Sequence, residues 1–253
     1  MISVCMATYN GEKYIGEQVK SILPQLEEND ELIISDDGST DKTLEILKKI
    51  NDKRIKIFHH NKNEVKVPFY LNSKYANRFY FVARNFENAL SKAQGEYIFL
   101  SDQDDVWLPN KIKMTLPNLN EDQLVISDAW IVNTELEKIE KLSKYRVYKK
   151  GFLKNIYIRG GAPQGCVCAF TKNVKNFILP IPKNVLTHDF WLSLLAELKF
   201  KSIYISEPLV LYRRHYNAVS DTKKSYHSFF YILRYRALML YESLKRFCLR
   251  KQP

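Results

Sequence analysis

Glycine and proline are scarce in this sequence, at 8 and 9 of 253 residues, and both are scattered. No flexible linker is therefore expected between independent domains. With 45% hydrophobic residues, the chain can bury one sizeable core but is too short for two full catalytic domains. It contains no internal repeat and no low-complexity stretch. No apolar run reaches the roughly 20 residues that a membrane-crossing helix needs. Met1 leads directly into Ile2–Ala7, so no signal peptide is expected, and the default is a soluble or peripheral cytoplasmic protein. The four cysteines are Cys5, Cys166, Cys168 and Cys248. Cys5 lies in an apolar run and reads as a small buried thiol. Cys166 and Cys168 lack zinc-knuckle spacing and a matching second pair, so they read as reduced strand residues. No disulfide framework is implied, which fits a reducing compartment.

What is abundant is charge, unevenly placed. The net charge is +11, but residues 1–140 carry 17 Lys+Arg against 23 Asp+Glu, a net of −6. Residues 141–253 carry 22 against 5, a net of +17. A basic half of this kind suggests an anionic partner: phosphate, nucleic acid or a membrane surface.

The first 130 residues alternate short apolar strands with helical patterns. Ile2–Ala7 is almost continuously apolar, as a strand buried on both faces requires. Ile15, Val19, Ile22 and Leu23 then recur at helical spacing, as do Leu44, Leu47 and Ile50, and later Phe86, Ala89, Leu90 and Ala93. Strands are expected at Glu31–Ser35, Ile55–Phe58, Tyr97–Leu100 and Leu124–Ser127. The rhythm predicts a single α/β domain with a mostly parallel, doubly wound sheet flanked by helices. The second half is less regular, with strands at Val167–Phe170 and Ser202–Ile205 and a helix over Asp189–Leu198.

In an open α/β sheet, ligands bind at the carboxyl ends of the strands. The polar clusters fall there. Thr8-Tyr9-Asn10 follows the first strand, Asp36-Asp37-Gly38-Ser39 the second and Asp102-Gln103-Asp104-Asp105 the fourth. Helix capping explains one such cluster well and three on one edge poorly. Three carboxylates within four residues repel one another, and a divalent cation relieves that cost. Hard oxygen ligands, few in number, suit Mg²⁺ or Mn²⁺ shared with substrate phosphates. Arg84 precedes a helix and could face a phosphate, although by itself a solvated arginine is the simpler reading.

These segments resemble family 2 glycosyltransferases. The matching stretches are Ile2–Gly11, Ile34–Asp41, Ala83-Arg84-Asn85, Gln94–Ile98 and Ser101–Pro109, five motifs in the family's order over roughly half the chain. The resemblance implies the glycosyltransferase A-type fold, with a nucleotide-sugar-binding half over 1–130 and an acceptor-binding, catalytic-base half over 131–222. It implies that Thr8, Tyr9 and Asn10 line the nucleobase. Asp37 would bond the base imide, and Asp36 would hold the loop or the ribose. Arg84 would face the nucleotide, Asp102 and Gln103 would lie by the donor, and Asp104 would be the main metal ligand.

In the second half, Thr187–Trp191 resembles a stretch of rhamnosyltransferase-like members, which implies that Asp189 is the general base. Inverting transfer needs such a carboxylate to deprotonate the acceptor hydroxyl. The bland alternative is that Asp189 caps its helix. Tyr212–Asn217 resembles a late segment of the same subgroup. It implies His215 as a second metal ligand and Arg213 or Arg214 on the diphosphate, against the alternative of a basic surface loop. Gly160–Cys166 sits where the family closes its acceptor pocket, which adds Gln164 and Gly165, beside His188 and Trp191, as acceptor-binding candidates.

The expected activity is metal-dependent, inverting transfer from a nucleotide-diphosphate donor, UDP-hexose or dTDP-rhamnose. The acceptor would be a glycan or lipid-linked molecule in bacterial surface-polysaccharide synthesis. A sugar nucleotidyltransferase would want a glycine-rich phosphate loop, and Gly11 stands alone after the first strand. A polyanion-binding non-enzyme is suggested by the basic half, but no nucleic-acid signature accompanies it, so no nucleic-acid partner is expected. Residues 223–253 form a basic, aromatic helical tail. It either lies on an anionic membrane or packs on the domain with its apolar stripe as core.

Overall fold

The computed structural model of the chain describes residues 1–68, 74–120, 122–144, 163–215 and 229–249. Its strands are β1 (Ile2–Thr8), β2 (Glu31–Asp36), β3 (Ile55–His59), β4 (Tyr97–Asp102), β5 (Val106–Trp107), β6 (Gln123–Val132), β7 (Lys138–Lys141), β8 (Cys168–Thr171) and β9 (Lys201–Arg213). Its helices are α1 (Ile15–Ile22), α2 (Thr43–Ile50), α3 (Lys74–Lys92), α4 (Lys111–Thr115), α5 (Lys172–Ile178), α6 (His188–Lys199) and α7 (Phe229–Leu249).

The nine strands form one sheet in the order β3-β2-β1-β4-β8-β6-β9-β5, with β7 beside β6. The nucleotide half is parallel throughout, β3 to β4, as the sequence rhythm predicts. Val4, Cys5 and Met6 of β1 and Leu32, Ile33 and Ile34 of β2 are fully buried, because helices cover both faces. Beyond β4 the sheet is mixed. β8 runs antiparallel to both β4 and β6, and β9 runs parallel to β6. Strands β1, β2, β4, β6 and β9 therefore all end on one edge, and β8 begins there. The boundary expected at residue 130 falls inside β6, so the two halves share one sheet.

The opposite edge is fastened by side chains. Asp30 Oδ1 accepts from the Ile2 amide at 2.7 Å, and Glu31 accepts from Ser3 Oγ at 2.6 Å and Lys56 Nζ at 2.7 Å. The Arg54 fork donates to Asp52 and to the carbonyls of Leu23 and Leu26.

The tail does pack on the domain. Met239, Glu242 and Ser243 of α7 are buried, the Leu186 amide donates to Tyr235 Oη at 3.2 Å, and Arg246 donates to the carbonyls of Phe177 and Leu179. The remainder of the expected 223–253 segment lies outside the described residues.

The Arg54 guanidinium holds the Asp52 carboxyl down at about 2, below its ordinary value near 4. A carboxyl depressed by folding contributes stability above its unfolded value, and that stability is lost as pH falls toward the folded value. Asp52→Asn should therefore lower urea stability at pH 7 by roughly 1–2 kcal/mol, after allowing for solvent screening. The gap to wild type should close as pH falls from about 4 toward 2. A gap independent of pH would show that the pair contributes through packing alone.

Candidate active site

Three loops meet at the shared edge, and their side chains bind one another first. Asp36 is fully buried: Oδ2 accepts from the Gly38 and Ser39 amides at 3.0 and 2.9 Å, and Oδ1 accepts from Ser39 Oγ. Gly38 has φ +81°, which lets the chain turn back under this carboxylate. With both oxygens bonded to the loop, Asp36 shapes its turn, as the loop-holding alternative expects. Gln103 joins the first and third loops. Its Oε1 accepts from Thr8 Oγ1 at 2.5 Å and the Tyr9 amide at 2.9 Å, and its Nε2 donates to the Tyr9 carbonyl. A Cβ on Gly11 would meet Gln103 Oε1 at 2.5 Å and would have to displace that amide. Thr8 and Gln103 thus tie the first loop to the third. Asn10 Oδ1 accepts from the Thr40 amide, linking the first loop to the second. Tyr9 is left projecting, 43% exposed, with Lys62 Nζ 3.3 Å from its ring centroid. Asp37 is buried against His60, whose Nδ1 lies 2.6 Å from Oδ1.

The acidic loop is held from β9. Arg213 is buried, and its amide donates to Asp105 Oδ1 at 3.0 Å. Its Nε donates to the Asp104 carbonyl, one terminal nitrogen to the Thr134 carbonyl and the other to Glu17 Oε2. Three of its five N–H groups are engaged in this way, so Arg213 positions the loop. Arg214 lies over the Tyr212 ring, 5.6 Å from its centroid. His215 Nε2 lies 2.8 Å from Asp104 Oδ2, which brings the two expected metal ligands together.

Burial, with Asp105, Asp104 and Asp189 nearby, pushes the Asp102 carboxyl well above the usual range. Burial and the Asp104 charge push Asp105 up as well. Asp105 Oδ2 is buried with no hydrogen bond of ordinary geometry, and the thiol beside it, Cys166, is a weak donor. One ligand atom each from Asp102, Asp105 and Cys166 lies within 4.8 Å of the others. Crowded carboxylates with an orphaned oxygen fit a cation well. Carboxylate oxygens are the donors that Mn²⁺ and Mg²⁺ take. Beneath them, Lys111 is buried and donates to the Cys166 carbonyl at 2.9 Å. Burial lowers its ammonium to about 8.

Asp189 opens α6, and its Oδ1 accepts from the Phe190 amide at 2.7 Å. Its charge contributes to raising the Asp102, Cys168 and Tyr235 groups. The expected acceptor residues are buried instead of displayed. Trp191 is fully buried, and its Nε1 donates to the Ile178 carbonyl at 2.9 Å. His188 stacks on Phe86 with centroids 4.0 Å apart, and a Cβ on Gly165 would lie 2.7 Å from its Nε2. Gln164 Nε2 donates to Tyr212 Oη at 3.3 Å. These four residues build the wall behind Asp189. Gly160, Gly161 and Ala162 lie outside the described residues.

Residues 3–67 and 76–175 match the family described as Glycosyl transferase family 2. The chain belongs to this family. It is 30% identical over 226 residues to the dTDP-rhamnosyl transferase RfbG of Shigella flexneri, spanning 84% of this chain and 72% of that one. It is 27% identical to the Escherichia coli UDP-Glc:alpha-D-GlcNAc-diphosphoundecaprenol beta-1,3-glucosyltransferase WfgD, over 88% and 81%. Its fold is that of the Mycobacterium tuberculosis glucosyl-3-phosphoglycerate synthase solved with Mn²⁺ and UDP, at TM-score 0.55 and 16% identity over 97% and 79% of the chains. Another solved chain that it matches is longer, and 60% of that one is covered. As a family member, the chain is a glycosyltransferase with the A-type fold.

Arg84 departs from expectation most. Its guanidinium is buried and donates to Glu87 and to the carbonyls of Ile181, Pro182 and Val185, tying α3 to the segment that enters α6. It faces the acceptor half and not the nucleotide. Arg84→Met should cost about 2–4 kcal/mol in urea denaturation, since it removes the donors to three carbonyls and one partner of the half-buried Glu87. The affinity of the folded protein for UDP or dTDP, measured by calorimetry, should change less than about twofold. A large loss of nucleotide affinity with intact stability would return Arg84 to the donor site.

Proposed function

We propose that the chain transfers a sugar, with inversion, from a nucleotide-diphosphate donor to a hydroxyl of a glycan or lipid-linked acceptor in bacterial surface-polysaccharide synthesis. The observation that carries this reading is the meeting of Asp102, Asp105 and Cys166 within 4.8 Å, with Asp104 held against His215, at the edge where β1, β2 and β4 end. Asp104 and His215 would hold Mn²⁺ or Mg²⁺, with Asp102 and Asp105 beside them. Such an ion offsets the charge that develops on a departing diphosphate. Asp189 takes the proton from the acceptor hydroxyl, and the Phe190 amide fixes the carboxylate that does so. Asp37 and Tyr9 receive the nucleobase. The relatives' names support both UDP-sugar and dTDP-rhamnose donors and a lipid-diphosphate acceptor.

Donor hydrolysis and transfer, screened over UDP-hexoses and dTDP-rhamnose, test these roles together. Asp189→Asn should keep donor affinity and lose transfer by roughly 10²–10⁴-fold. Asp104→Asn should lose the Mn²⁺ dependence of hydrolysis. Wild-type rates in either variant would reject the corresponding role.

The exposed face of α7 favours contact with a membrane as part of the same reading. Phe230, Leu233, Tyr241 and Leu244 are exposed and fall on one helical stripe, opposite the buried Met239 and Ser243, with Arg234 and Lys245 exposed beside it. No helix among the described residues is long and apolar enough to cross a membrane. Peripheral attachment to an anionic leaflet, on the cytoplasmic side, would bring the site to a lipid-linked acceptor. The protein should co-sediment with anionic vesicles at low salt, and Phe230→Ser with Leu244→Ser should abolish binding without unfolding the domain. Vesicle binding that survives this pair would exclude α7 as the contact.

A further inference from the structure

An imidazole that the reaction scheme does not use stands at the donor end of the sheet. His60 follows β3, and both its backbone and its side chain are fixed on the second loop. Its amide donates to the Asp36 carbonyl at 2.7 Å, and its Nδ1 lies 2.6 Å from Asp37 Oδ1. The Asp37 amide in turn donates to the Thr8 carbonyl at 2.9 Å, so the residue is held through both its backbone and its side chain. An ionised carboxylate has no proton to give, so the imidazole Nδ1–H is the donor. A hydrogen bond of this length to a charged acceptor is among the stronger kinds. The pair is largely shielded, with 6% of the Asp37 side chain exposed and 16% of the His60 side chain. The protein therefore occupies one of the two oxygens of Asp37 before any ligand arrives.

Nucleobases differ in what they ask of such a group. Uracil and thymine present a single imide N–H, which one free carboxylate oxygen satisfies. Guanine presents two adjacent donors, N1–H and the exocyclic amine, which match a carboxylate that offers both oxygens. Cytosine presents an acceptor at N3, which a carboxylate repels. The exposed Tyr9 ring on the neighbouring loop offers a stacking face for any of these bases and does not discriminate among them. We infer that His60 is a specificity-determining residue that restricts the donor site to uracil and thymine nucleotides, by taking the second oxygen of Asp37. The inference rests on the donor-site reading above, which places the base at Asp37.

Calorimetric titration of the whole chain with UDP, dTDP and GDP, each with Mn²⁺, tests it. Wild type should bind UDP and dTDP at least about tenfold tighter than GDP, a difference worth one buried hydrogen bond. His60→Ala frees the second oxygen and should narrow that ratio to about threefold or less, chiefly by a gain in GDP affinity. His60→Asn carries a side-chain N–H and should retain the wild-type preference, which separates loss of the donor from general disturbance of the loop. Equal or tighter GDP binding by wild type would overturn the inference, as would an unchanged ratio in folded His60→Ala. Binding of none of the three by folded wild type would instead overturn the donor-site reading, and the inference with it.

Discussion

One guanidinium sets the geometry on which the site depends. Arg213 ends β9, and from there it reaches α1 through Glu17, the acidic loop through the Asp104 carbonyl, and the turn after β6 through the Thr134 carbonyl. Its amide takes Asp105 Oδ1 as well. Four segments far apart in sequence are thereby fixed to one rigid plane of donors, which a lysine could not reproduce. The acidic loop would otherwise spread under its own repulsion. Its carboxylates are close and partly or fully buried, and they are oriented by this one buried guanidinium.

That arrangement explains why the loop can carry unfavourable charge without collapsing. Asp105 is held by one oxygen and left unsatisfied at the other, while Asp102 is pushed toward its neutral form by burial and by Asp105, Asp104 and Asp189. In a protein without a ligand this is a destabilised corner. Strain of this kind persists where the surrounding structure determines it from several directions. Here β4, β9 and the start of β8 all do so. A divalent ion and a diphosphate together would supply the missing opposite charge and the missing donors, so binding and relief of the repulsion are one event.

The parallel nucleotide half and its three polar loops were legible because they follow local rules. Strand periodicity, strand ends and carboxylate spacing are all short-range signals. The antiparallel β8 was not legible as such, because a four-residue apolar strand looks the same in either direction. Its direction matters, since it delivers Gln164–Cys166 to the site edge. Roles were harder than places. Asp36 and Asp37 are adjacent and chemically identical in the sequence, yet one is held by its own loop and the other meets His60 through a single oxygen. His60 itself could have been found, because it stands at the carboxyl end of β3, where the same edge rule applies. Arg84, Arg213, His188 and Trp191 could not be assigned in that way, since their partners come from segments roughly 10 to 200 residues away.

The same distinction corrects what the charge asymmetry meant. The net of +17 beyond residue 140 reads as a surface awaiting an anion. Part of that charge is internal. Lys175 Nζ donates to the Ala93 carbonyl at 2.5 Å, Arg246 to the carbonyls of Phe177 and Leu179, and Arg213 to two further carbonyls. Lys111 and Arg84 of the first half do the same. These side chains close the ends of helices and strands where backbone oxygens would otherwise be buried without donors. In a chain with few glycines and prolines to turn its backbone sharply, long cationic side chains take over the satisfaction of irregular segments. Other cationic side chains stand on the surface, among them Lys245 on the outer face of α7, where it flanks an apolar stripe.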